Sequence, residues 1–62
     1  MENISEDEKY YVCLGMKRYG GAFVVGLSQA LMSADHINRQ KIKNTWPELW
    51  KQYLETGKRM DL

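Results

Sequence analysis

The sequence lacks the usual staples of a small domain. Cys13 is the only cysteine, so no intrachain disulfide can form, and with His36 as the only histidine a Cys/His zinc site is excluded. Long hydrophobic runs are also missing. The most apolar stretch, residues 22 to 31, is broken by Gly26, Ser28 and Gln29 and is too short to span a bilayer. Neither sign of charge dominates, with nine Lys and Arg against eight Asp and Glu, a net charge of +1. The N-terminus is acidic where a secretory leader would be basic. The sequence carries no phosphate loop, no paired catalytic carboxylates and no nucleophile–base motif. A lone cysteine fits a reducing compartment. These absences predict a non-enzymatic, cytoplasmic protein that needs no cofactor or metal and does not enter a membrane.

What remains must hold itself together by packing. A chain of 62 residues makes one domain and buries only about 60% of the surface its unfolded form exposes. Against that thin margin stand two Trp, four Tyr, one Phe and four Met, a generous apolar supply for this length.

The clearest pattern lies near the C-terminus, where Trp46, Leu49, Trp50, Tyr53 and Leu54 recur at helical spacing and form one broad stripe. Thr45 with Glu48 fits a capping box, Pro47 suits a first helical turn, and Gly57 reads as the stop, so the spacing predicts a helix ending near Thr56 with residues 58–62 as a tail.

Upstream, residues 1–5 read as a frayed end. Ser5 with Glu8 makes a second capping box, and a helix from about Glu6 to Arg18 would carry Tyr10, Cys13 and Leu14 on one side, weakened by Gly15. The rival is a strand through Tyr10 to Leu14, but it has no second strand to pair with. Gly20-Gly21 ends this element. The next helix, from Gly21 or Ala22 to Ser33, presents Phe23, Leu27, Ala30 and Leu31 as a core stripe, with Gly26 and Ala30 small enough to admit a close neighbour; its apolar character predicts a central position. Asp35 caps a third helix from about His36 to Asn44, with Ile37, Ile42 and the stem of Lys41 inward and His36, Arg39, Gln40 and Lys43 outward. The fold class expected is all-α, a bundle of three to four short helices over residues 1–62, with Phe23, Leu27, Leu31, Ile37, Ile42, Trp46, Leu49, Trp50, Tyr53 and Leu54 at its centre.

From Lys17-Arg18-Tyr19-Gly20-Gly21 through Phe23-Val24, Leu27, Ala30-Leu31, Ala34-Asp35, Asn38 and Lys41-Ile42 to Trp46-Pro47-Glu48-Leu49-Trp50 and Tyr53, the chain resembles a group of small uncharacterised proteins of bacteriophages and prophages. The resemblance covers a little over half the chain. It implies a compact helical protein at work in a bacterial host cell, and it implies no activity.

Two surfaces follow as candidates. The aromatic mass exceeds what so small a core need absorb, and Trp, Tyr and Met are the residues that protein interfaces favour. A protein partner, or self-association, would then use an exposed subset of Tyr10, Tyr11, Tyr19, Trp46, Trp50 and Tyr53. The alternative is a small DNA-binding module. Glu2, Glu6, Asp7 and Glu8 make the head acidic while the second half is mildly basic, and two short helices joined by a tight turn would suit a helix-turn-helix, with Arg39, Gln40, Lys43 and Asn44 as contacts to nucleic acid. A net charge of +1 and a pI near 7.9 fall short of the usual basic footprint. Cys13 reads as a small buried hydrophobe and His36 as a surface residue in a first helical turn.

Overall fold

The computed structural model describes residues 4–60 and is all-α: α1 (Glu6–Tyr19), α2 (Ala22–Ser33), α3 (His36–Thr45) and α4 (Pro47–Met60), with no strand among the described residues. The local signals explain most of the boundaries. The Ser5 side chain accepts from the Glu8 N–H at 3.0 Å, and acids fill the first turn of α1 while Lys17 and Arg18 fill its last. Asp35 accepts from the Asn38 N–H at 2.8 Å at the start of α3. The strand alternative for Tyr10 to Leu14 is not realised.

The organising contact is the crossing of α1 over α4, with α2 packed on α1 and α3 joined more lightly to α2 and α4. The central helix is therefore α1, and not α2 as its greater apolarity suggests. Glycine makes the crossing possible. A Cβ on Gly15 would stand 2.5 Å from the Tyr53 carbonyl oxygen, and one on Gly57 would overlap the main chain of Tyr11. The two helices touch backbone to backbone, closer than side chains ordinarily permit. Gly57 is thus buried inside α4, which continues to Met60, and is neither its stop nor the start of a tail. The close approach expected at Gly26 and Ala30 occurs here instead.

The core is Ile4, Val12, Cys13, Met16, Leu27, Leu31, Trp50 and Tyr53, with Val24, Ile42, Leu49 and Leu54 packed around it. Several expectations change. The end is not frayed at Ile4, which is buried, while Ser5 caps α1 as its pairing with Glu8 predicts. On α1 the buried face is Val12, Cys13, Gly15 and Met16, while Tyr10 is exposed and Leu14 half-buried. On α2 it is Leu27, Ser28 and Leu31; Phe23 is 61% exposed and Ala30 lies in solvent. A helix apolar nearly all round gives no internal sign of which face turns inward, so its neighbours decide. Ser28 is fully buried because its hydroxyl donates to the Val25 carbonyl at 2.6 Å. On α3, Ile37 and Lys41 point outward and Arg39 is buried. Thr45 is the last residue of α3 and Trp46 the joint, so Thr45 does not stand at the N-cap of α4 as the expected Thr45–Glu48 capping box requires. Residues 1–3 and 61–62, including Leu62 and part of the expected tail, lie outside the described residues.

Candidate interaction surface

The acidic head folds onto the basic half of the same chain. Arg39 donates to the Glu6 carboxylate at 2.7 Å and to the Ala34 carbonyl at 3.2 Å, which satisfies a guanidinium that is otherwise enclosed. Lys9 adds a second, looser bridge to Glu6 at 3.4 Å. Glu8 joins three helices: it accepts from Lys43 at 3.1 Å on α3 and from the Trp50 indole N–H at 2.6 Å on α4. The Lys43 ammonium also lies 5.8 Å from the centroid of the Trp50 ring.

These contacts shift both carboxylates. Hydrogen bonds from Arg39 and Lys9, with their charges, hold Glu6 below the ordinary glutamate range. For Glu8, partial burial pushes upward, but the bonds from Trp50 and Lys43 and the charges of Lys43 and Lys58 outweigh it and the net direction is down. A carboxylate with a depressed folded-state pKa binds its proton more weakly folded than unfolded. Its stabilising contribution is complete above the unfolded value of about 4.3 and disappears as pH falls through the folded one. Thermal midpoints should therefore be flat from neutral pH down to about 5 and drop below about 4.3, and Glu8→Gln should flatten that drop. An acid limb that is unchanged in Glu8→Gln would show that Glu8 contributes nothing to it.

The same contacts decide where the expected nucleic-acid set stands. Arg39 and Lys43 are engaged with Glu6 and Glu8, and Gln40 donates to Asn44 at 3.0 Å. The four residues do share α3, yet the two cations among them, Arg39 and Lys43, are paired with the chain's own acids, while Lys41 on the same helix is exposed. Sequence reading placed the acids and bases at opposite ends, and nothing in one-dimensional spacing reports that α1 and α3 meet.

The aromatic set divides as sharply. Trp50 and Tyr53 are core, only 2% and 8% exposed, and cannot meet a partner. Tyr10 and Tyr19 are exposed; Tyr11 is half-buried and sits edge-on to Tyr10, centroids 5.4 Å apart. Tyr19 edges an open cleft with Gln52, Thr56 and Arg59. Trp46 is partly exposed and packs edge-to-face on Phe23 at 5.7 Å and 69°. This Phe23–Trp46 pair, where α2 begins and α3 ends, was missed because Phe23 fits a core stripe in the sequence. Beside it runs the outer face of α2, where Ala22, Phe23, Gly26, Gln29, Ala30 and Ser33 are exposed and none is ionisable. The outward faces of α1, α3 and α4 all carry charge.

Cys13 is buried with its thiol directed at the Ser28 carbonyl at 3.8 Å, and burial pushes its pKa up, so it stays a neutral thiol near pH 7. His36 is exposed. Among the described residues no three His, Cys, Asp or Glu converge as metal ligands, and no helix is long and apolar enough to cross a membrane. Comparison with protein-family models, with curated proteins and with solved structures finds no match to this chain.

Proposed function

We propose that this is a non-enzymatic interaction protein that presents an exposed aromatic and apolar surface to a protein partner. The observation that carries the reading is the Phe23–Trp46 pair beside the uncharged face of α2. Phe23 is 61% exposed yet held in a fixed edge-to-face geometry, so it enters a contact at little cost in lost freedom. Aromatic anchors of this kind supply most of the binding energy at interfaces. The resemblance to small phage and prophage proteins supports a setting in the cytoplasm of a bacterial host, as an accessory factor that engages a host or phage protein. A DNA-binding role has less support, since Arg39 and Lys43 are occupied within the molecule.

The test is capture by cross-linking from host lysate, with alanine placed in turn at Phe23, Trp46, Tyr10 and Tyr19. The reading expects a defined partner whose recovery falls about 30-fold or more in the Phe23 or Trp46 variant, the loss typical of a hot spot. Identical recovery by the wild type and all four variants would remove it.

A further inference from the structure

Among the described residues, every buried side chain with a polar end has a partner for it, except one. The Cys13 thiol, the Ser28 hydroxyl, the Arg39 guanidinium and the Trp50 indole N–H all donate within the protein. Tyr53 is only 8% exposed, yet its hydroxyl has no hydrogen-bond partner in the fold. No unpaired side-chain oxygen or nitrogen is sealed off among the described residues, so this hydroxyl reaches an opening. Tyr53 lines the cleft of about 460 Å³ that it shares with Tyr19, Gln52, Thr56, Arg59 and Met60. The volume falls in the range of small-molecule sites. A protein surface cannot reach so enclosed a residue, but a small molecule in the cleft can.

The lining decides the chemistry. Arg59 is its one charged residue, is exposed, and makes no ion pair among the described residues. A guanidinium receives oxyanions through its planar fork of N–H groups. Arg59 lies in the last turn of α4, and Tyr19 is the last residue of α1. Both helices thus turn their C-terminal ends toward the cleft, and the partial negative charge there opposes a doubly charged ligand. One cation beside two such ends suits a carboxylate rather than a phosphate, whose usual seat is a helix N-terminus. The Tyr19 ring and Met60 offer an apolar wall to a flat body. Tyr53 and Arg59 are six residues apart, about 9 Å along α4, so the ligand needs a polar group at the end away from its carboxylate.

We propose that this cleft binds a small aromatic monocarboxylate with a hydroxyl at its far end. The carboxylate meets Arg59, the ring lies beside Tyr19 and Met60, and the hydroxyl bonds to that of Tyr53. The proposal does not rest on the Phe23–Trp46 surface, which takes no part in the cleft.

The probe is para-hydroxyphenylpropionate, whose length is comparable to that separation, titrated into isotope-labelled protein and followed by amide NMR shifts. Shifts at Tyr19, Gln52 and Thr56 should saturate with a Kd of about 1 mM, the range open to about a dozen heavy atoms. Arg59→Gln should weaken binding about 10-fold or more, and the neutral amide of the probe should bind the wild type as weakly. Tyr53→Phe should weaken the hydroxylated probe about 5-fold and leave phenylpropionate unchanged, because only the bond between the two hydroxyls is lost. Its urea midpoint should match the wild type, since no bond inside the fold is removed. The absence of a saturable shift up to about 10 mM overturns the proposal. So does binding that Arg59→Gln leaves intact, or phenyl phosphate that binds more tightly than the carboxylate. A Tyr53→Phe variant that is destabilised, or that loses both probes alike, overturns it too. None of these results bears on capture through Phe23 and Trp46, so the interaction reading stands or falls by its own test.

Discussion

Gly57→Ala is expected to remove about 2 kcal/mol or more from the thin stability margin of this domain. The added methyl would overlap the main chain of Tyr11, which has no rotamer to escape into, so α1 and α4 must move apart along their whole contact. Overpacking a core typically costs about 1–3 kcal/mol, and a clash against backbone belongs at the upper end or beyond. Alanine returns at most about 1 kcal/mol in helix propensity. At about 0.05–0.15 kcal/mol per residue, a domain this size has only about 3–9 kcal/mol in all. Urea titration followed by far-ultraviolet circular dichroism reads the loss. Gly26→Ala is the contrast: the same change in open helical space should stabilise the fold by about 0.5–1 kcal/mol. If the two variants had equal midpoints, the backbone-to-backbone crossing would not be what holds α1 on α4.

Trp50→Ala should cost about 3–5 kcal/mol, the range for truncating a large aromatic in a core. Trp50 is the largest fully enclosed side chain, and it also donates to Glu8. Trp50→Phe separates the two roles. It keeps most of the apolar volume and deletes the N–H, so its cost should fall to about 1.5–3 kcal/mol, as for a hydrogen bond to a charged group. The Glu8 pKa should rise in that variant, because a bond that favours the ionised form is gone. A proton titration by NMR that finds Glu8 unmoved would show that the indole N–H does not stabilise the carboxylate.

The helices were legible where local chemistry sets them. Ser5 and Asp35 accept from the expected amides, the glycine pair separates α1 from α2, and Pro47 opens α4. Cys13, Leu27, Leu31, Trp50 and Tyr53 were placed inward correctly. The errors concern what no single helix contains. Gly15 reads as a weak point and Gly57 as a stop because the backbone they admit lies about forty residues away in sequence. Arg39 reads as solvent-facing because its partner, Glu6, is on another helix. Phe23 and Ile37 read as core because apolar residues at helical spacing do not say how many such faces a four-helix bundle can cover. The candidate surface was legible only in part: Tyr10, Tyr19 and Trp46 are outward, but its centre, Phe23 with the bare face of α2, appears only once α1 has claimed the other side.

The α1–α4 crossing also sets the order in which the protein comes into being. Its closest contact joins Tyr11, near the start, to Gly57, near the end. A growing chain therefore cannot seat its first helix until its last has been made, and every partial length exposes Val12, Met16 and Leu31 without the cover of Trp50 and Tyr53. Such a chain folds as one unit, late and all at once, and cannot be divided into halves that fold by themselves.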